Sequence, residues 1–316
     1  MKGWFLGAYA GYASFAAKTA DTDAAYMQGL QELPHLAGLE LPFYSDLSET
    51  ASDRYLRTLP KHWDYVLTLL PGTMQSLANQ PDFGLASPQP EGRKAAMSRM
   101  TLVHRRLHEI NARCGRQAVQ AIEVHSAPSG PQGSTEALYR SFEELSAWDW
   151  QGARLMLEHC DAWKPNGTSV KGFLPLHDEL GVLKQLDERV TMSLNWGRSA
   201  LEAQSGDEPL NHIKKAQDSG LLGAFFFSGT ALNDPLYGSW TDSHVPLRLP
   251  DPAPWQASQG LLTPAVVTGV CRVLQASPYI LWGIKVQPAP ASLSVAERLD
   301  FLAQQILGFE QARLAV

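Results

Sequence analysis

The sequence predicts an α/β fold, a single (β/α)8 TIM barrel spanning residues 1–316. Three observations carry this reading. Eight short apolar runs alternate with segments of helical character. Each run is continuously apolar, as a strand buried on both faces must be. The length suits a barrel of about 250 residues with insertions, and strands alternating with helices pair in parallel through right-handed crossovers.

The runs are, in order, "WFLGAYA" (4–10), "GLELPF" (38–43), "YVLTLLPG" (65–72), "QAIEVHS" (120–126), "RLMLEHC" (154–160), "VTMSLNWG" (190–197), "GAFFFSG" (223–229) and "YILWGIKV" (279–286). Helices are expected between them. Asp21–Leu33 follows a Thr/Asp stretch that caps it, and Gly92–Cys114, Thr135–Trp148, Pro175–Leu186 and Pro209–Gln217 come next. Thr263–Leu274 opens on Thr-Pro, a cap followed by proline at the first helical position. Ser294–Leu314 opens with Ser294 and Glu297 at capping-box spacing. Three irregular insertions remain, Pro81–Gly92, Ser126–Ser134 and the long stretch from Gly229 to Trp255. The last, taken as 229–257, follows the seventh strand and is expected to act as a lid, since long unstructured loops are usually functional.

Composition narrows the function. The net charge is −6 and no Lys/Arg stripe appears, which argues against a nucleic-acid partner. No run of about 18 apolar residues exists, so no membrane-spanning helix is expected. The opening "MKGWFLGAYAGYASFAAK" has the early lysine and apolar stretch of a signal peptide, but Trp4, Tyr9, Gly11 and Tyr12 interrupt it, and it reads better as strand and loop. Cys114, Cys160 and Cys271 are odd in number and lack motif spacing, which fits a reducing cytoplasm. The partner expected is a small-molecule sugar or sugar acid, with homo-oligomerisation left open.

In such a barrel the active site lies where the strands end. Those ends carry Glu40; Glu123 and His125; Glu158, His159, Cys160 and Asp161; Asn195, Trp196 and Arg198; Ser228; and Lys285. Asp242 and His244 can reach in from the long loop. Neighbours along a strand face opposite ways. Glu158 therefore shares a face with Cys160, Glu123 shares one with His125, and His159 points between strand and helix. Tyr9, Tyr12, Trp196 and Trp240 near the mouth suit stacking on sugar faces, whereas Trp282 reads as core. Cys160 reads as packing.

These motifs support a resemblance. "LEH" closing the fifth run and "NWGR" closing the sixth, with "EHCDAW", "NWGRSALE", "SGTA" and "WGIKV", resemble the xylose isomerase-like TIM barrels, in an uncharacterised bacterial branch. That superfamily holds sugar isomerases, sugar epimerases and a DNA-repair endonuclease branch. The resemblance implies one divalent metal held by Glu, Asp, His and Glu after the fifth to eighth strands. Only Glu158 matches. Asn195-Trp196-Gly197-Arg198 stands for Asp-x-Gly-His, Phe227 and Ser228 replace the His, and Lys285 replaces the last Glu.

The expectation is thus an isomerase or epimerase working by proton transfer next to a carbonyl, without a metal. Glu158 moves the proton while Lys285 and Arg198 stabilise the enediolate oxygen. Glu40, Glu123, His125, Asn195, Trp196, Ser228, Trp240, Asp242 and His244 contact substrate. Alternatives stay open: a displaced metal (Mn, Mg, Zn or Co) on Glu158, Glu123, His125 and His244; a Schiff base on Lys285; a lyase or glycoside-cleaving enzyme using Glu123 and Glu158; or a barrel that only binds sugar. Structural readings compete as well: Lys285 or Arg198 as a plain partner for Glu158, Arg198 paired with Glu202, and Asn195 in an Asx turn.

Overall fold

A computed structural model describes residues 3–13, 18–43, 56–165, 167, 169–186, 190–250 and 257–316. Parts of the N-terminal stretch (1–2, 14–17) and residues 251–256 of the long loop lie outside the described residues.

Each apolar run supplies one strand: β1 Trp4–Leu6, β2 Leu36–Pro42, β3 Asp64–Thr68, β4 Val119–Val124, β5 Arg154–Glu158, β6 Val190–Asn195, β7 Leu222–Phe227 and β8 Leu281–Ile284. They pair in parallel, each with its sequence neighbour, and β8 pairs with β1 to close the ring. The interior is layered. Phe5, Val66, Ala121, Met156, Ala224, Phe226 and Leu281 fill the lower barrel. Two positions on along the same inward face, Val66 gives way to Thr68, Ala121 to Glu123, Met156 to Glu158 and Phe226 to Ser228. A change from apolar to polar at constant period two sets a polar ring on a packed plug, at the end where such barrels carry their sites.

The outward faces of the strands join the main core with the surrounding helices. These are α1 Ala8–Ala13, α2 Ala20–Leu30, α3 Leu70–Asn79, α4 Pro90–Cys114, α5 Thr135–Ser146, α6 Leu176–Leu183, α7 Trp196–Ala203, α8 Glu208–Asp218, α9 Pro264–Leu274 and α10 Val295–Leu314. The expected caps form: Thr263 Oγ1 accepts the Val266 N–H, and Ser294 and Glu297 make a reciprocal box. Three short helices, α1, α3 and α7, were not expected. In each, the apolar run continues past the strand end, so pattern alone hides the switch. In α3 proline sits in the first turn, where its missing N–H costs nothing. The first and last elements are bolted together, because Trp4 Nε1 donates to Glu310 Oε2 at 2.8 Å and the Arg313 guanidinium lies 4.4 Å from the Trp4 ring centroid. No described helix is long and apolar enough to cross a membrane.

Candidate active site

The polar ring brings together most of the residues the strand ends nominate. Glu158 and Lys285 are each only 1% exposed, and Arg198 2%. Glu158 Oε2 lies 2.7 Å from His125 Nε2, and its Oε1 lies 3.4 Å from Arg198 Nε. Arg198 Nη1 continues to Asp242 Oδ2 at 3.3 Å, and Lys171 Nζ reaches the same oxygen at 3.1 Å. Ser228 Oγ and His244 Nδ1 are 2.8 Å apart, and His244 Nδ1 is 3.8 Å from Asp242 Oδ1. Ser193 Oγ donates to Glu123 Oε1 at 2.7 Å.

Lys285 corrects one expectation. Its Nζ donates to Glu40 Oε1 at 2.8 Å, so its direct partner is Glu40 rather than Glu158. The strand order explains this. β8 and β2 flank β1, and the residue that directly follows β1 between them is Gly7. A Cβ there would fall 2.7 Å from Glu40 Oε2 and 2.9 Å from Lys285 Cγ. The missing side chain opens the slot through which lysine and glutamate meet. The Lys285 ammonium also lies 5.1 Å from the centroid of the Tyr9 ring.

Arg198 corrects another: it faces Glu158 and Asp242, whereas Glu202, one turn along α7, goes to His159 at 3.0 Å. Asn195 is the N-cap of α7, its Oδ1 accepting the N–H groups of Gly197 and Arg198, so the cap aims the guanidinium into the mouth. Trp196 is buried in the main core as the first residue of α7 and is not a wall of the mouth. Trp240 sits in a left-handed turn (φ 48°) and enters none of the cluster's hydrogen bonds or ion pairs among the described residues. As expected from alternation, His159 leaves the barrel. Its Nδ1 lies 2.6 Å from Glu179 Oε2.

The electrostatics separate two carboxyl groups. Burial works against ionising Glu158, yet Arg198, the His125 hydrogen bond and Lys285 outweigh it and hold its pKa well below the usual carboxylate range. Glu123 goes the other way: burial and then the charges of Glu158 and Glu40 push it well above that range, toward the protonated form. Burial lowers His125 and brings His244 down to about 3, so both rings are neutral. Burial works against the charged form of Lys285, but the carboxyl groups of Glu40 and Glu158 outweigh it and hold its pKa above the ordinary value. Burial in turn raises Glu40, with Lys285 opposing. Three carboxylates (Glu40, Glu158, Asp242) thus face three cations (Lys285, Arg198, Lys171). Several buried polar atoms of this region have no protein partner: Glu40 Oε2, Thr68 Oγ1, Glu123 Oε2, His125 Nδ1 and Asn195 Nδ2.

Residues 5–301 match the family described as "Domain of unknown function (DUF4862)". The chain belongs to this family. A Salmonella typhimurium (strain LT2) relative, the uncharacterized protein STM3670, is 34% identical over 310 residues, 96% of either chain. Solved structures sharing the DUF4862 chain's fold include a putative xylose isomerase from Rhodospirillum rubrum (TM-score 0.62, 13% identity, 98% of this chain and 99% of that one). The E. coli 3-keto-D-glucoside 4-epimerase YcjR is another (TM-score 0.58, 12% identity, 96% and 98%). A third is the IolI protein with a bound zinc atom (TM-score 0.58, 12% identity, 100% and 97%). The likeness is one of fold, a closed (β/α)8 barrel.

Does the DUF4862 mouth suit the metal that such barrels imply? His125, Glu158 and Cys160 place donor atoms within 4.8 Å of one another. This differs from the displaced set expected, since Cys160 joins while Glu123 and His244 stay out. Arg198 occupies the ground a cation would need, with Nε 3.4 Å from Glu158 and Nη1 3.5 Å from Cys160 Sγ. The residues present fit two organic cations better than a divalent ion. Sequence reasoning missed Lys171 and Ser193. Lys171 lies in the loop after β5, where only the fold brings it to Asp242. Ser193 was legible, since it sits two residues before Asn195 on the inward face of β6.

Proposed function

We propose that this protein is a sugar or sugar-acid isomerase or epimerase that moves a proton next to a carbonyl, with charge stabilised by Lys285 and Arg198 instead of a metal. One observation carries the reading. Two carboxyl groups in one buried ring, Glu158 and Glu123, are biased in opposite directions, one toward the ionised and one toward the protonated form, beside two fixed cations. Environments that push paired acids apart are how one site runs base and acid chemistry at a single pH. Glu158 takes the carbon-bound proton. A substrate oxygen that engages Arg198 loosens its hold on Glu158 and raises the basicity of that carboxylate. Lys285 and Arg198 then face the developing enediolate oxygen, and Glu123 returns a proton from its protonated side. The unpartnered polar atoms suit the hydroxyls of a sugar. The sugar epimerase on the same fold supports this class. Substrate enters when the Lys171–Asp242 contact parts, because that pair joins the loops after β5 and β7 over the mouth.

The test is solvent exchange. The protein is incubated in D2O with ketoses, keto-glycosides and uronic acids, and proton NMR follows the hydrogen next to the carbonyl. Exchange is expected with at least one substrate. It should slow by about 100-fold or more in Glu158→Gln and Glu123→Gln, and survive chelator dialysis. Unchanged exchange in Glu158→Gln removes the assigned role. The same acid pair also matches glycoside cleavage; release of a reducing sugar without exchange would select that reading.

A further inference from the structure

On the opposite face of the β5 end, a second cluster lies between the barrel and its helices. His159 Nε2 is 3.0 Å from Glu202 Oε2 on α7. His212 Nε2 on α8 is 3.9 Å from Glu202 Oε1 and 3.0 Å from Glu208 Oε1. The donor atoms of His159, Glu202 and His212 lie within 4.8 Å of one another. From this geometry we infer a divalent transition-metal site, of the zinc or cobalt class, held by His159, His212, Glu202 and Glu208.

Four features support it. First, the spacing fits: a tetrahedron with bonds of about 2.0–2.1 Å has edges of roughly 3.3 Å, and the separations above straddle that value. Second, both rings are anchored through their other nitrogen, His159 Nδ1 on Glu179 at 2.6 Å and His212 Nδ1 on Ser199 Oγ at 3.0 Å. Carboxylate or hydroxyl partners behind the ring are what orient ligating histidines. Glu179 is itself held by Ser126, and Glu202 Oε2 by the Ala162 N–H at 2.9 Å. Third, the cluster is acid-rich. Glu179, Glu202 and Glu208 surround the two rings, and the ammonium groups nearby are the largely exposed Lys215, 3.8 Å from Glu208, and Lys164, which donates to the Glu202 main-chain carbonyl. Fourth, there is a way in, because the rings are buried while the side chains of Glu202 and Glu208 are 17% and 23% exposed. Two imidazoles and two carboxylates suit zinc better than magnesium or calcium, which prefer all-oxygen shells. On binding, the ion replaces the proton on His159 Nε2, which leaves to solvent. His212 carries its proton on Nδ1 toward Ser199 and offers Nε2 to the metal. Such an ion would tie the end of β5 to α7 and α8, and so brace the backbone that presents Glu158 and Arg198. It would not touch substrate.

Cobalt reports on this directly. The 316-residue chain, stripped with chelator, is titrated with Co2+, following the visible d–d absorption of tetrahedral cobalt and the melting temperature. The expected result is one equivalent bound, intense visible bands, no sulfur-to-cobalt band in the near ultraviolet, and a raised melting temperature. His212→Ala should abolish these signals. Glu179→Gln, which changes the partner of His159 Nδ1 and leaves every proposed ligand in place, should weaken binding by about 10–100-fold. Ser199→Ala serves as a milder variant should His212→Ala fail to fold, with weaker binding expected. Glu158→Gln and Cys160→Ser should bind as the parent does. No binding, or binding lost in Cys160→Ser and kept in His212→Ala, overturns the assignment; the latter would move the metal to the mouth.

Discussion

Glu158 and His159 are consecutive residues at one strand end, yet they enter regions of opposite electrical design. Glu158 turns into the barrel, where three carboxylates meet three cations and the charges balance. His159 turns outward, where three glutamates, Glu179, Glu202 and Glu208, gather around two imidazoles. Among the described residues, no ammonium or guanidinium pairs with Glu179 or with the Glu202 carboxylate. The same strand thus serves a self-neutralised pocket on one face and an acid-rich pocket on the other. A buried carboxylate must be matched by positive charge from somewhere. Inside the barrel the chain supplies its own. Outside, histidine and carboxylate leave room for an added ion.

If the mouth is balanced, removing one of its cations should be the most damaging single change. Lys285→Met strands Glu40 beside Glu158 in a buried site. It should lower unfolding free energy by about 3–5 kcal/mol, measured by urea denaturation. Adding Glu40→Gln to that variant should recover most of the loss. A cost below about 1 kcal/mol would mean that the charges do not depend on one another.

A smaller effect tests the outer edge of the mouth. Burial disfavours ionised Asp242, but Arg198 and its other neighbours outweigh this and lower its folded-state pKa. A depressed carboxylate stabilises fully above its unfolded pKa of about 3.9, and that contribution fades as pH falls through the folded value. Asp242→Asn should therefore be less stable than the parent by about 1–3 kcal/mol at pH 7. The gap should shrink on acidification below about pH 4. A gap that stays constant down to pH 2 would break the pairing with Arg198.

The smallest effect is expected on the flank. In metal-free protein, Glu208→Gln removes one acid from an acid-rich, partly exposed site and should change stability by no more than about 0.5 kcal/mol. A loss like that of Lys285→Met would erase the contrast between the two regions.

Much of this was legible in the sequence, for a physical reason. Strands buried on both faces leave uninterrupted apolar runs, and the inward positions of those runs turn polar where the barrel opens. That pattern marks Glu40, Glu123, Glu158, Ser228 and Lys285. Their pairing was not legible. Lys285 meets Glu40 across 245 residues only because Gly7 leaves a gap between them. Trp196 looked like a mouth residue because Asn195 beside it is one, but the first turn of α7 rotates the indole into the core. The flank was half visible: alternation turned His159 outward, while Glu179, Glu202 and His212 come from three different helices. Nothing local in the sequence announces that they meet.

Gly7, Glu40 and Lys285 also bear on how the ring is assembled. As the chain emerges from its N-terminal end, Glu40, Glu123 and Glu158 are made long before Lys285, which directly follows the strand that closes the circle. A ring that shut one strand early, or with its last strand slipped by one residue, would bury Glu40 without its ammonium, since a one-residue slip turns an inward side chain outward. Only the correct closure delivers the lysine to the gap above Gly7. The buried pair therefore works as a proofreading mark on topology: the chemistry of the mouth and the completion of the barrel are certified by the same contact.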